Sequence, residues 1–334
     1  MCRCPWILAL WLSLGGQVCL GEAKGVVNWS FSLRHAQQWL TRFTESPHTF
    51  GSLSQKRLAQ WMVLQLRREG WTSFVQDFEA RVPSQDCLQR VLKKKTCDIS
   101  QTSMMKGKNV VAANVHPHHK CIIIIGSHYD TKHLVGQKYV GANDSASSSL
   151  LLPQLLSSVA RHGPSCGIVA VWFDGEEAVL PGWNDSFSFG LSFEDHTYGS
   201  RYFVSQLERC GNSWCLLDYP ELPIRGLLLL DMIGSPEVKF SLDGNSNVRL
   251  RSHFYSVLKQ MGLEDRINAD MTKIEDDHIP FIEKGIPALN IIDFENLRHW
   301  HRPSDLTQHL SLRSVAMVGK VADRLIHFLH RNPM

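Results

Sequence analysis

The sequence lacks a strong excess of either charge. Its 334 residues carry 35 Lys and Arg against 32 Asp and Glu, a formal net charge of +3. This near balance, without a basic motif, argues against a nucleic-acid partner. Hydrophobic residues make up 43% and charged residues 20% of the chain, which excludes a disordered chain, a collagen-like chain and a coiled coil. Tyrosine is scarce, with six beside sixteen histidines. A histidine surplus is compatible with metal binding, with pH sensing or with neither.

Long hydrophobic runs are missing beyond the first residues. The chain begins Met-Cys-Arg-Cys, continues with an apolar run from Pro5 to Leu14 and reaches small residues near Gly21. This pattern predicts a secretory signal peptide over residues 1–21, cleaved from a single domain over residues 22–334. No later segment approaches the roughly 18 apolar residues of a membrane helix. We therefore expect a secreted protein without a membrane span.

Six cysteines follow the predicted signal peptide, an even number that permits disulfides in an oxidising compartment. Two close spacings would give short local loops, Cys87–Cys97 and Cys210–Cys215. Cys121 and Cys166 each begin an apolar run, so they could be neighbours on adjacent strands or buried thiols. The spacing does not decide the connectivity. Asn28 is the best candidate for glycosylation among the Asn-x-Ser sequons.

Short apolar runs and amphipathic segments alternate along the chain. Continuous apolar runs are typical of strands covered on both faces. They predict strands over residues 121–126, 167–173, 226–230 and 288–292. Helical spacing of apolar residues predicts helices around residues 33–43, 58–66, 146–160, 198–209, 248–261 and 315–329. Residues 83–108 are expected to be polar and irregular. The pattern predicts an α/β fold, a single domain with a mostly parallel central sheet and helices on both faces.

Three of the predicted strands end in carboxylate or imidazole side chains. The endings are Gly126-Ser-His-Tyr-Asp130, Phe173-Asp-Gly-Glu-Glu177 and Leu230-Asp231. Ligands of open α/β sheets gather at the carboxyl ends of the strands, so we expect these side chains to meet. Buried carboxylates are costly without a partner, and carboxylate with imidazole suits a catalytic Zn²⁺ site. Of Glu176 and Glu177, one could bind the metal while the other acts as a general base.

Seven motifs carry a resemblance to a known family. They are Gly126-Ser-His-Tyr-Asp130, Val140-Gly-Ala-Asn-Asp-Ser145, Phe173-Asp-Gly-Glu-Glu-Ala178, Tyr198-Gly-Ser-Arg201, Leu230-Asp-Met-Ile-Gly234, Asp276-Asp-His-Ile-Pro-Phe281 and Trp300-His301. In this order, from about residue 108 to 306, they resemble the M28-type zinc aminopeptidase superfamily. They are most similar to its glutaminyl-peptide cyclotransferase branch.

The resemblance implies an activity and a set of residues. The activity is conversion of the N-terminal Gln of peptides and proteins into pyroglutamate with release of ammonia, with N-terminal Glu as a second candidate. One zinc ion per chain would be bound by Asp144, Glu177 and His301, with His128 as a second metal ligand or a supporting residue. Glu176 would carry the proton, with Asp231 as its acidic partner and Asp276 hydrogen-bonded in the same site. The substrate pocket would include Trp183, Trp300 and Asn290. We expect a monomer.

Two other functions fit the same motifs. A two-zinc aminopeptidase would bind one ion with His128, Asp144 and Asp231 and the other with Asp144, Glu177 and His301. A catalytically inactive binding protein on this fold is disfavoured, because no metal ligand and neither glutamate has been lost. The sequence departs from the animal cyclases at Asn290, where a His is usual, and at Glu275, where Gln is common.

Three further residues are given supporting or surface positions. Asp130 is expected to orient His128, and His278 to be a structural hydrogen-bonding residue. His196 is expected on the surface.

Overall fold

A seven-stranded mixed sheet forms the centre of the protein in a computed structural model. The structure describes residues 29–159, 166–209, 213–214 and 222–332. The predicted signal peptide, Asn28 and the Cys210–Cys215 pair lie outside the described residues. The strands are β1 Thr72–Pro83, β2 Thr102–Asn114, β3 Cys121–His128, β4 Cys166–Phe173, β5 Ser213–Trp214, β6 Leu222–Asp231, β7 Phe240–Asp243, β8 Ile267–Thr272 and β9 Ala288–Ile292. Their order in the sheet is β1-β2-β4-β3-β6-β5, with β9 also paired to β6, while β7 and β8 form a separate pair.

Within the seven-stranded sheet, parallel pairing is confined to the four strands that the apolar runs predict, and the separate β7–β8 pair is parallel as well. β4, β3, β6 and β9 pair in parallel, and all four strands are buried over most of their length. β1 and β2 extend the sheet as an antiparallel edge, and β5 adds a short antiparallel pair to β6. The prediction of a central sheet with parallel strands is confirmed, and the flanking antiparallel strands make the sheet mixed.

The prediction that residues 83–108 are irregular is wrong. This segment contains a helix over Gln85–Leu92 and the first half of β2. The polar sequence reflects position and not a lack of structure, because the first half of β2 is mostly exposed and β1 alternates between exposed and buried side chains only over part of its length. Exposed strands of this kind carry charged residues, which limits pairing with other chains.

Helices cover both faces of the sheet, as predicted. They are α1 Leu33–Phe43, α2 Leu53–Arg68, α3 Gln85–Leu92, α4 Ser147–Ser149, α5 Leu152–Val159, α6 Asp185–Ser188, α7 Tyr198–Glu208, α8 Val248–Gln260, α9 Ile279–Glu283 and α10 Leu312–Arg331. Serine N-caps begin four of them, with Ser32, Ser52, Ser84 and Ser311 accepting a backbone N–H. Within the described ranges, no helix combines the length and the apolar character needed to cross a membrane.

The two faces of the sheet have separate cores. Residues of α1, α2, α5, α8 and α10 form the larger core with one face, where the Trp39 ring stacks on the Trp172 ring at 6.0 Å between centroids. On the other face, α7 and α9 contribute Phe203 and Phe281, which both pack against Phe173 of β4. With a core on each side, the sheet ends are the positions where polar side chains can gather.

Two disulfides cross-link the described residues, Cys87–Cys97 and Cys121–Cys166. The second joins the paired first residues of β3 and β4, so Cys121 and Cys166 are neighbours on adjacent strands and not buried thiols. This bond lies at the amino ends of the strands, opposite the end where His128 is found.

Loss of the strand-to-strand disulfide should destabilise the protein more than loss of the local one. Closing a loop with a sequence separation of 45 is worth about 4 kcal/mol in the chain-entropy model, against about 3 kcal/mol for a separation of 10. Urea unfolding of Cys121→Ala/Cys166→Ala and of the matched Cys87→Ala/Cys97→Ala variant measures the two losses. A smaller loss in the first variant would contradict this order.

Candidate active site

The site is formed where parallel strands end side by side. β3 ends at His128, the turn after β4 carries Glu176 and Glu177, and β6 ends at Asp231. Because these strands are parallel neighbours, their carboxyl ends lie at the same edge of the sheet. The expected meeting of these side chains is therefore found, and all four are buried.

Asp144, Glu177 and His301 form the first group of possible metal ligands. One ligand atom from each lies within 4.8 Å of the others. His301 Nε2 is 3.0 Å from Glu177 Oε1 and 3.5 Å from Asp144 Oδ2. These three residues are the ones that the family resemblance assigns to zinc.

His128, Asp144 and Asp231 form a second group. His128 Nε2 lies 3.1 Å from Asp144 Oδ1 and 3.3 Å from Asp231 Oδ1, and one ligand atom from each residue lies within 4.8 Å of the others. Asp144 belongs to both groups and presents one oxygen to each. The geometry therefore offers two adjacent positions for a cation that share one carboxylate.

Several buried atoms in these two groups lack a hydrogen-bond partner in the described part of the chain, as expected of atoms that coordinate a metal ion. His128 Nε2, Asp231 Oδ1 and Glu177 Oε2 have no hydrogen-bond partner among the residues that the structure describes. Such atoms are costly when buried, and coordination to a cation would remove the cost. Oxygen and imidazole donors without thiolate are a donor set that zinc accepts in catalytic sites. The residues present fit a zinc ion.

The pKa shifts of the ligand groups show how crowded the charges are. Burial alone would lower the pKa of His128, but Glu176, Asp130, Asp144 and Asp231 outweigh it and hold the pKa well above its usual value. Burial also acts against His301, whose pKa is raised by Glu177 and Asp144. Carboxylates thus outnumber the cationic groups beside them, and a divalent cation would balance this charge.

Asp130 holds His128 and the two glutamates in place. Its carboxylate accepts the backbone N–H of Glu176 at 3.1 Å and of Glu177 at 3.2 Å. Its carbonyl oxygen lies 3.2 Å from His128 Nδ1, which can donate to it and so leaves Nε2 facing Asp144 and Asp231. The structure thus brings Asp130 to the supporting position that the sequence predicts.

A glycine turn places Asp144. Gly141 has φ +57°, and a Cβ atom there would lie 1.9 Å from the carbonyl oxygen of Asp144, so only glycine fits. Tyr139 donates its hydroxyl to Asp144 Oδ2 at 2.8 Å. Asp305 accepts the backbone N–H groups of Asn143 at 2.8 Å and Asp144 at 3.1 Å. Two further side chains therefore fix the residue that both ligand groups share.

Glu176 is placed as a candidate proton carrier beside the metal ligands. Burial raises its pKa well above the usual value, against the opposing charge of His128, and the carboxylates of Asp276 and Glu177 raise it further. Burial likewise raises the pKa of Asp231 to about 7, although His128 opposes it. A carboxyl group whose pKa is raised toward neutrality can both accept and return a proton. Glu176, Asp231 and Asp276 line one cavity.

This cavity of about 490 Å³ has two tryptophan walls. Trp300 stacks on His301 at 4.2 Å between ring centroids. Trp183 stacks on His196 at 4.2 Å and donates its Nε1–H to Glu275 Oε2 at 3.1 Å. Both tryptophans are thus held in fixed orientations around the space above the metal ligands.

His196 is not a surface residue, and that prediction is wrong. Its side chain is 6% exposed, and burial lowers its pKa to about 3. A neutral imidazole is a flat partner for the Trp183 ring, which explains its burial. His278 lies 2.9 Å from Asp243 Oδ2, in agreement with the structural position predicted for it.

Asn290 lies behind the cavity and is not among the residues that line it. Its Nδ2 donates to Asp276 Oδ2 at 2.8 Å, and its side chain is buried. The structure therefore places Asn290 against Asp276 and away from the substrate space, which differs from its expected position in the pocket. It would influence the site through Asp276.

Lys132 is a site residue that the sequence analysis missed. It is buried, and its Nζ donates to the carbonyl oxygens of Ala178 at 2.7 Å and Leu180 at 3.0 Å. The same Nζ lies 3.8 Å from Glu177 Oε2. Tyr139 and Asp305 were missed too. Tyr139 and Asp305 are distant in sequence from the ends of the predicted strands, so no strand-end pattern marked them as site residues. Lys132 was missed although it follows His128 by only four residues.

Comparison with known proteins places this site in a family. The model of Peptidase family M28 matches residues 109–326. A glutaminyl-peptide cyclotransferase from Bos taurus is 24% identical, with 93% of this chain and 92% of the relative covered. One from Drosophila melanogaster is 24% identical, with 78% and 70% covered.

Solved structures share the fold. A glutaminyl cyclase from an Acidobacteriales bacterium aligns with a TM-score of 0.68 at 21% identity, covering 92% of this chain and 99% of that structure. A leucine aminopeptidase precursor from Bacteroides thetaiotaomicron aligns with a TM-score of 0.69 at 18% identity, covering 90% and 99%. The family match spans more than half of the chain and includes all the ligand residues described above, so the chain belongs to Peptidase family M28.

Proposed function

We propose that the protein is a zinc-dependent glutaminyl-peptide cyclotransferase. The observation that carries the proposal is the placement of Glu176 beside the Asp144, Glu177 and His301 group inside a cavity walled by two tryptophans. A cavity of about 490 Å³ suits one N-terminal residue held in a folded conformation. The similarity to cyclotransferases over nearly the whole Bos taurus relative supports the same activity.

The reaction joins the α-nitrogen of an N-terminal Gln to its own side-chain carbonyl carbon. The new C–N bond forms as the bond to the side-chain amide nitrogen breaks, and the two protons lost by the α-ammonium group leave with that nitrogen as ammonium. Since both reacting groups belong to one residue, the protein must mainly fold that residue into attack geometry and stabilise the developing oxyanion. Trp183 and Trp300 would enclose it.

Each site residue has a role in this reaction. Zinc held by Asp144, Glu177 and His301 would polarise the side-chain carbonyl group. Glu176 accepts a proton from the α-ammonium group and returns it to the leaving nitrogen. Asp231 and Asp276 hold the α-nitrogen and the leaving nitrogen by hydrogen bonds, and Asn290 keeps Asp276 in position. His128 supports Asp144 and Asp231 because its Nε2 atom lies beside one carboxylate oxygen of each.

The second candidate is a two-zinc aminopeptidase. The group of His128, Asp144 and Asp231 favours it, because it could hold a second ion beside the first with Asp144 as the bridge. Glu176 would then activate a water molecule for peptide hydrolysis. The fold shared with a leucine aminopeptidase precursor supports keeping this second candidate.

One pair of assays separates the two activities. Purified protein is incubated with a Gln-initiated peptide and with a leucine chromogenic substrate, each with and without a chelator, and bound zinc is counted per chain. We expect chelator-sensitive release of ammonia without free amino acid, and about one zinc ion per chain. Chelator-sensitive release of leucine without cyclisation, with two zinc ions per chain, would refute the cyclotransferase.

The two disulfides support the proposal that the protein is made in the secretory pathway. Disulfides persist in oxidising compartments and are rare in the cytosol. We propose that residues 1–21 are a signal peptide and that the mature protein is a monomer acting on peptides. Asn143 is unsuited to glycosylation, since its Oδ1 accepts the backbone N–H of Gly234 at 2.7 Å. Amino-terminal sequencing of the secreted protein tests the signal peptide, and light scattering tests the monomer.

A further inference from the structure

A second cavity opens beside the active-site cavity, and we name it the acidic groove. It has a volume of about 250 Å³. Its floor is aliphatic and comes from Ile279, Pro280 and Ile282 of α9. Its rim is formed by the side chains of Glu194, Glu275 and Glu283. An apolar floor beneath a charged rim suits a ligand that is apolar along its length and charged at its end.

The acidic groove adjoins the active-site cavity. Asn245, Glu275 and Asp276 line both. Glu275 stands at the boundary, where it accepts the Nε1–H of Trp183 with one oxygen. The groove is therefore the neighbouring cavity for a peptide whose first residue lies beside Trp183. Successive residues of an extended peptide advance by about 3.3 Å, so a second or third residue can reach it.

The charges of the groove are mostly negative. Arg201 is paired with Glu194, which leaves the carboxylates of Glu275, Asp276 and Glu283 in excess. Asp276 is buried against Asn290, so Glu275 and Glu283 are the two exposed carboxylates. His196 also lines the groove, but burial lowers its pKa to about 3, so it contributes no positive charge near neutrality. Lys273, two residues before Glu275, lines the neighbouring active-site cavity and is not among the residues that line the groove. Its positive charge therefore offsets the negative charge of the groove only from the active-site cavity. The groove therefore offers two carboxylates to a cationic side chain.

We propose that the acidic groove is a substrate subsite for a lysine or arginine at the second or third position of the peptide. Such side chains lay their methylene stems on apolar surface and keep the charged end near carboxylates or water. Ile279 and Ile282 provide the surface for the stem, and Glu275 and Glu283 receive the charge. This preference rests on the proposed cyclotransferase function and specifies its substrates as basic peptides that begin with Gln.

Paired peptides test the preference directly. The set is Gln-X-Ala-Phe-amide and Gln-Ala-X-Phe-amide, with X either arginine or citrulline, its neutral isostere. Ammonia release is measured with the zinc-loaded full-length protein at low and high salt. We expect kcat/KM for arginine to exceed that for citrulline by about fivefold at one of the two positions, the size of one exposed ion pair. High salt should reduce the ratio toward one, because it screens exposed charges.

Three variants locate the preference. Glu275→Gln/Glu283→Gln should reduce the arginine-to-citrulline ratio to about one, since both carboxylates are removed. Glu283→Gln alone should reduce it in part, without touching the Trp183 contact. The matched control Glu79→Gln removes an exposed carboxylate from the edge strand β1 and should keep the full ratio.

The outcomes separate this proposal from the function on which it rests. Equal kcat/KM for arginine and citrulline at both positions, with ammonia released from all four peptides, would overturn the subsite and leave the cyclotransferase intact. A preference that persists in the double variant would overturn the assignment to this groove. No ammonia from any of the peptides would refute the cyclotransferase itself, and the subsite with it.

Discussion

Glu176→Gln should reduce kcat for ammonia release by about three orders of magnitude, the middle of the range for general acid–base catalysis. Glutamine keeps the volume of the side chain and its backbone N–H contact with Asp130, but it cannot accept the proton of the α-ammonium group. Because Glu176 is not one of the proposed metal ligands, zinc content and the melting temperature should stay close to those of the wild type.

The measurement is steady-state ammonia release together with zinc content and thermal unfolding. Glu79→Gln is the matched control, because it makes the same chemical change on the edge strand β1, outside the site. Retention of more than about a tenth of the wild-type kcat in Glu176→Gln would show that another group carries the proton, and Asp231 would be the next residue to test.

Asp144→Asn should remove both metal binding and activity. Asp144 is common to the two ligand groups, with Oδ1 facing His128 and Oδ2 facing His301. A carboxamide supplies one neutral oxygen and one NH2 group, which cannot coordinate a cation, so it cannot serve both sides. Loss of a ligand at this position should weaken zinc binding at least about 100-fold, since even supporting residues cost 10- to 100-fold. Activity at limiting zinc should fall by a similar factor.

Zinc competition with a chromophoric chelator measures this loss, and Asp77→Asn on the edge strand is the matched control. A comparison with Asp231→Asn also separates the two proposed functions. In a one-zinc cyclotransferase, Asp231→Asn should lower kcat while the zinc content stays at one per chain. In a two-zinc aminopeptidase it should remove one of the two ions. Unchanged zinc affinity in Asp144→Asn would contradict the ligand assignment.

The sequence predicts the centre of this fold better than its edges. β3, β4, β6 and β9 are continuous apolar runs, and a strand covered on both faces leaves that signal wherever it occurs. β1 and β2 are half exposed and carry many polar residues, so their local sequence resembles that of a loop. Their pairing depends on contacts distant in sequence, which single-chain periodicity does not record.

The site residues also divide into those that the sequence pattern predicts and those that it does not. His128, Glu177 and Asp231 follow apolar strands directly, so the topology of a parallel sheet is enough to bring them together. Lys132, Tyr139 and His196 occupy loops, and their positions depend on how those loops fold back over the sheet. The burial of His196 in particular depends on the ring of Trp183, which no local pattern indicates. The family resemblance assigned Asn290 to the substrate pocket, but its side chain in β9 is hydrogen-bonded to Asp276 and does not line the cavity.

The Cys121–Cys166 bond makes the two ends of β3 and β4 differ in what they contribute to the protein. Their amino ends are joined covalently, and their carboxyl ends carry the charged residues of the site. The geometry of the strands is thus set at the end away from the chemistry, so the protein need not rely on the metal to hold them together. Residues at the reactive ends of β3 and β4 can therefore be exchanged without breaking the covalent link between the two strands.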